Sequence, residues 1–66
     1  MTKELIIWAN KVVDSWPVVI MEAYAIMEMF ETRALEDGIE LNDEDLDELV
    51  DLVLDEELAD LLTMLD

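Results

Sequence analysis

The segment NDEDLDELVDLVLDEELADLLTMLD, residues 42–66, has the leucine spacing of a helix and carries eleven acids with no base. Asn42 is a residue type that caps helix N-termini, and the acids that follow it complement the helix dipole. Leu41 before the cap and Leu46 after it have the spacing of a hydrophobic staple. These local signals predict a helix over about residues 43–65.

The apolar residues of this helix fall on two faces. At about 100° per residue, the first face consists of Leu46, Leu49, Val50 and Val53. The second face, rotated by roughly a quarter turn or more, consists of Leu54, Leu58, Leu61, Leu62 and Leu65. A bend or break near Asp55 would let both faces pack on one core, whereas an unbroken helix would present one face to a second copy. Because no Gly or Pro marks a break, propensity favours the unbroken helix and, with it, a homodimer.

A first helix is predicted upstream, over about residues 3–14. Thr2 is a suitable N-cap, and the apolar residues that follow have helical spacing. The sequence DSWP then ends or bends this helix, because Pro17 is tolerated in a first helical turn but not in a helix interior. Asp14 or Ser15 would cap the next helix.

A second helix should run over about residues 16–36 and stop at Gly38 in a left-handed conformation. It is apolar around most of its circumference, which indicates a central position in the core. Its predicted core face consists of Val19, Ala23, Ile26, Met27, Phe30 and Ala34, widened by Ile20, Tyr24 and Leu35. The sequence therefore predicts an all-α fold in a single domain over residues 1–66, a small bundle of three helices, or of four if the last helix breaks near Asp55.

Composition excludes several functions. The chain of 66 residues has no histidine and no cysteine, and we find no nucleophile paired with a base, so neither an enzyme nor a metal or cofactor site is predicted. The apolar window from Trp16 to Phe30 is shorter than the roughly 20 residues that span a bilayer, and it contains Glu22 and Glu28. A hydrophobic content of 55% is high for so short a chain, which again favours a homodimer.

The charge is concentrated in one half of the chain. Residues 1–33 carry five acids and three bases, whereas residues 34–66 carry fourteen acids and no base. Solvent-facing helices usually mix signs, because like charges at i,i+4 destabilise a helix by roughly 0.2–0.5 kcal/mol per pair. The pattern therefore indicates a role for the acids besides solubility.

Four of these acids form a row that we call the acidic stripe: Glu44, Glu48, Asp51 and Asp55, at i, i+4, i+7 and i+11. Neighbours in such a row lie about 5–6 Å apart, and one strand of DNA carries a charge per about 3.4 Å. Joined by the acids of a second copy, the stripe could imitate part of a phosphate backbone. The residues predicted to contact a partner are Glu44, Asp47, Glu48, Asp51, Asp55, Glu56, Glu57 and Asp60.

In size, helical content and the block of acids from Glu36 to Asp66, the chain resembles the small acidic DNA-mimic inhibitors of phages. Those proteins act against restriction enzymes, CRISPR effectors, nucleases and polymerases. The resemblance implies a basic nucleic-acid-binding protein as partner, stoichiometric inhibition, and no direct contact with nucleic acid or membrane. It also implies a location in the cytoplasm of an infected bacterial host.

Two alternatives remain open. The first is an acidic, oligomeric interaction module that binds through apolar faces without mimicry. The second is a carrier protein: Asp14-Ser15 and the segment IELNDEDL, residues 39–46, resemble acyl carrier proteins, which implies Ser15 as the attachment site. The chain departs from that family because Trp16 and Pro17 follow the serine and only fourteen residues precede it.

Overall fold

The computed structural model describes residues 1–16 and 22–64, and these residues form four α-helices and no strand. The helices are α1 (Lys3–Asp14), α2 (Ala23–Asp37), α3 (Asp43–Leu54) and α4 (Leu58–Met64). The all-α fold is confirmed, but this part of the chain contains four helices where three were predicted. None of the described helices combines the length and the apolar character needed to cross a bilayer.

Three predicted helix ends are confirmed by local hydrogen bonds or dihedral angles. The Thr2 hydroxyl oxygen accepts from the backbone N–H of Leu5 at 3.2 Å and caps α1. The Asn42 side-chain oxygen accepts from the N–H of Asp45 at 2.8 Å and caps α3. Gly38 has φ 69° and ends α2 in the left-handed region, which glycine enters without a steric cost.

The second helix begins later than predicted. Trp16 is not helical, and Glu22 is extended at φ −93° and ψ 130°, directly before α2. The ring of Trp16 packs against Phe30 with 5.6 Å between centroids. In one continuous helix, these residues would be separated by about 21 Å along the axis, so the contact excludes that helix. The predictions for Pro17, Val19 and Ile20 lie outside the described residues.

The residues proposed to cap the second helix belong to the first. Asp14 is the last residue of α1, and Ser15 is its C-cap. The Ser15 hydroxyl donates to the carbonyl of Val12 at 2.8 Å and accepts from Nη1 of Arg33 at 3.3 Å. Neither residue therefore starts a helix, and the prediction of a cap at this position is wrong.

The predicted last helix is broken. Asp55 is the C-cap of α3, and Glu56 follows in the left-handed region at φ 58°. The N–H groups of Glu56 and Glu57 donate to the carbonyls of Val53 and Leu52, at 3.1 and 2.9 Å. This is a Schellman motif with glutamate at the position that glycine usually occupies. The favoured unbroken helix is thus wrong, and the alternative of a break near Asp55 is correct.

The break lets most of both apolar faces pack on one core. Leu58 is buried and Leu61 and Leu62 pack against the core, whereas Leu54 stays 39% exposed. Leu49 from α3 and Leu58 from α4 belong to the same buried cluster as Val12 from α1 and Phe30 from α2. Within the described residues, α2 packs mainly on α3 and α1 mainly on α4. One argument for the expected homodimer no longer applies, because Leu58 is buried within its own chain and needs no second copy to cover it. The expected position of Leu65 lies outside the described residues.

The core face of α2 is narrower than predicted. Ile26, Phe30 and Ala34 are buried, whereas Tyr24 and Leu35 are 73% and 84% exposed. The prediction that these two side chains widen the core face is wrong. Within the described residues, the helices that pack on α2 cover the side with Ile26, Phe30 and Ala34, and Tyr24 and Leu35 lie away from that side.

We expect Glu56→Gly to stabilise the fold by about 0.5–1 kcal/mol, because a non-glycine residue in the left-handed region is strained. The matched control is Glu57→Gly, which removes the same charge one residue later, where φ is not positive. Urea unfolding followed by circular dichroism measures both variants. An equal gain from the control would attribute the effect to charge and not to the backbone.

Candidate protein-binding surface

The acidic stripe lies on the outer side of α3. Glu44, Glu48 and Asp51 are exposed residues of the helix, and Asp55 is its exposed C-cap. Asp55 keeps right-handed helical dihedral angles, at φ −86° and ψ −1°, so the row extends to it without interruption. On the other side, roughly 180° around the helix axis, lie the buried residues Leu46, Leu49 and Val50.

Helix α3 holds the stripe in place through its buried side. Leu49 is fully buried, and Leu46 and Val50 are nearly so, which fixes the rotation of the helix about its axis. The Asn42 cap fixes where the helix begins. From Glu44 to Asp55, the stripe is about 16.5 Å long at 1.5 Å per residue. The exposed Asp47 lies beside it and adds a fifth carboxylate.

The break separates the other predicted contact residues from the stripe. Glu56 and Glu57 are exposed in the turn between α3 and α4, and Asp60 is exposed on α4. The turn changes the direction of the chain, so these three carboxylates do not continue the row along α3. The predicted set of eight residues therefore consists of five acids on one face of α3 and three acids beyond it.

Within residues 1–16 and 22–64, none of these eight carboxylates forms an ion pair or accepts a hydrogen bond from another side chain. Arg33, the cation of α2, lies 3.9 Å from the carboxylate of Glu36 and also donates to Ser15. Asp37 accepts a hydrogen bond from Nε1 of Trp8 at 2.7 Å. Asp37 thus links α2 to α1 and Glu36 pairs within α2, and neither acid belongs to the stripe.

The stripe is suited to attracting a cationic surface. Several unpaired carboxylates on one rigid face produce a local negative potential, which draws basic groups and raises their rate of association. No group of three or more possible ligands in the described part of the chain is arranged to hold a metal ion. Ser15 ends a helix and bonds to Val12 and Arg33, a placement that gives no support to its use as a carrier serine.

Sequence reasoning missed a second surface feature, a groove of about 490 Å³ between the end of α2 and the start of α3. We call it the α2–α3 groove. Its apolar lining consists of Ala34, Leu35, Ile39, Leu41 and Leu46. The predicted staple indicates that Leu41 and Leu46 lie close together, and both residues line the groove. The helical spacing places Leu35 on the predicted core face, so the sequence gives no sign that this side chain lines a surface groove.

The chain matches no protein-family model, no curated protein and no solved structure. The class that the fold and the surface define is therefore a structural one: a small, acidic, four-helix domain in its described part, with an unpaired acidic face on α3.

Proposed function

We propose that this protein is a stoichiometric inhibitor that imitates nucleic-acid phosphates and occupies the basic groove of a nucleic-acid-binding protein. The observation that carries the proposal is the acidic stripe: exposed, ordered by the buried side of α3, and without a cationic partner in the described residues. The partner would be a nuclease, a CRISPR effector, a restriction enzyme or a polymerase, met in the cytoplasm of a bacterial host.

The spacing of the charges supports mimicry. Five carboxylates over about 16.5 Å of helix correspond to about one charge per 4 Å of axis. One strand of DNA carries a charge per about 3.4 Å. A row of lysine and arginine side chains that fits one strand would therefore find carboxylates at a similar pitch along α3.

The cost of the arrangement also supports a binding role. Like charges at i,i+3 and i,i+4 oppose the helix that carries them. In α3 and its C-cap, such pairs join 44–47, 45–48, 48–51, 43–47, 44–48, 47–51 and 51–55. A cationic partner relieves this repulsion when it binds, so the same pairs that weaken the free protein strengthen the complex.

The test uses two variants that remove four carboxylates each. The stripe variant combines Glu44→Gln, Glu48→Gln, Asp51→Asn and Asp55→Asn. The control variant combines Glu4→Gln, Asp14→Asn, Glu22→Gln and Glu28→Gln, all exposed and all outside α3. Both lower the net negative charge by the same amount, so a difference between them reports position and not overall charge.

Each protein is immobilised and exposed to a nuclease-treated bacterial lysate, and bound proteins are eluted with duplex DNA. We expect wild type and the control variant to retain nucleic-acid-binding proteins that DNA displaces. The stripe variant should bind at least about tenfold more weakly, because it lacks the charges that face the partner. Equal retention by all three proteins, or bound proteins that DNA does not displace, would refute mimicry and favour the interaction module without it.

A further inference from the structure

The α2–α3 groove is an apolar depression bordered by acidic residues. Ala34 and Leu46 are buried at its base, and Ile39 and Leu41 are partly buried. Leu35 forms one wall and is 84% exposed, so the groove leaves a large apolar side chain in water. The groove has a volume of about 490 Å³ and is open to solvent on its outer side.

The charges around the groove limit what can occupy it. The polar residues that line it are Glu31, Glu40 and Asp43, and all three are exposed. No base lines it. An anionic ligand, a nucleic acid or a second copy of this chain with its net charge of −16 would be repelled. A peptide segment with a central apolar side chain and cationic side chains on both sides fits these residues. Its apolar side chain would pack against the apolar lining, and its cations would lie near the three acids.

The groove also adjoins the acidic stripe. Leu46 and Asp43 lie on the groove side of α3, Asp47 follows around the helix, and the stripe comes next. A partner that binds the stripe would thus also lie next to the opening of the groove, on the same side of the protein. A hydrophobic anchor at this position would supply an affinity that does not weaken with salt, in contrast to the charged contacts.

We infer that the α2–α3 groove binds an apolar side chain from a lysine- or arginine-rich segment of the partner protein. This inference rests on the proposed function, since the segment belongs to the cationic partner of the stripe. It adds to that function a contact between an apolar side chain of the partner and an apolar groove. The phosphate backbone of a nucleic acid offers no such groove.

The test uses two fluorescein-labelled peptides and measures their binding by fluorescence anisotropy. One peptide has two central leucines with three lysines on each side, and the other has two alanines in place of the leucines. Their charges are identical, so the alanine peptide reports attraction to acids alone. We expect wild type to bind the leucine peptide roughly tenfold more tightly, because only leucine buries a large apolar area in the groove.

Leu35→Ser removes a wall of the groove, and because Leu35 is exposed the change leaves the core intact. Tyr24→Ser is the control, an exposed aromatic residue of the same helix about 16.5 Å away along the axis. We expect Leu35→Ser to bind both peptides equally and Tyr24→Ser to behave as wild type. Equal affinity of wild type for the two peptides, or a leucine preference that persists in Leu35→Ser, would overturn the inference.

The stripe variant separates this inference from the proposed function. If the stripe attracts the cations, the variant should weaken both peptides by the same factor and keep the leucine preference. If it binds both peptides as wild type does, the stripe proposal fails while the groove stands. If it weakens both and wild type shows no leucine preference, the groove inference fails while the stripe stands.

Discussion

Phe30→Ala is expected to lower the free energy of unfolding by about 3–5 kcal/mol. Phe30 has no exposed area, and its ring packs between Trp8 and Trp16 with centroid distances of 5.8 and 5.6 Å. Alanine would leave a cavity at the place where α1 meets α2. A chain of 66 residues has a total stability of only about 3–10 kcal/mol at the usual contribution per residue, so the variant should be close to unfolding in water.

Urea unfolding measures this effect by circular dichroism and by the fluorescence of the two tryptophans, which report on the environment of Phe30. Tyr24→Ala is the matched control, because it removes an aromatic ring from the same helix at a position 73% exposed. Its effect should stay within about 0.5 kcal/mol. A loss below about 1 kcal/mol for Phe30→Ala would contradict the packing described for the core.

Glu48→Lys is expected to have the opposite effect and to stabilise the free protein by about 1–3 kcal/mol. Glu48 lies three or four residues from Glu44, Asp45 and Asp51. The substitution converts three repulsive pairs into three attractive ones, and each conversion counts twice the energy of a single pair. The same substitution should weaken binding of the proposed cationic partner, because it places a positive charge in the middle of the stripe.

Glu28→Lys provides the control for stability. It makes the same change of charge at an exposed position of α2, where Glu31 is the one acid at helical spacing. Glu28→Lys should raise the free energy of unfolding by about a third as much as Glu48→Lys, because it converts one repulsive pair and not three. Thermal unfolding at about 10 mM and about 150 mM salt gives a second readout, because wild type should gain stability as its charges are screened and Glu48→Lys should gain less. No stability gain in Glu48→Lys would mean that the acids of α3 do not repel one another.

Signals within a single helix could be read correctly from the sequence. The caps at Thr2 and Asn42 and the left-handed stop at Gly38 depend on nearby residues alone, so the bounds of α1 and the start of α3 follow from them. The exposed stripe follows for the same reason, since its four acids share a regular helix with the buried leucines. Features that depend only on residues close together in one helix could therefore be predicted from the sequence.

Tertiary packing determined the rest. The contact of Trp16 with Phe30 is incompatible with a helix that joins them. Proline and a run of β-branched residues directly after Trp16 argue only weakly against such a helix. Glu56 adopts a left-handed conformation that its sequence does not favour, and the burial of Leu58 compensates for the strain. The positions of Glu57 and Asp60 relative to the stripe depend on that break. Helix propensity favoured an unbroken helix, so these positions could not be predicted from the sequence.

Binding of the acidic stripe to a cationic cleft, as proposed, is tested most directly by the salt dependence of binding. The dissociation constant of a captured partner is measured between about 0.05 and 0.3 M salt for wild type, the stripe variant and the control variant. We predict a steep loss of affinity with salt for wild type and the control variant, and a slope reduced by roughly half for the stripe variant. The same slope in all three proteins would contradict this proposal.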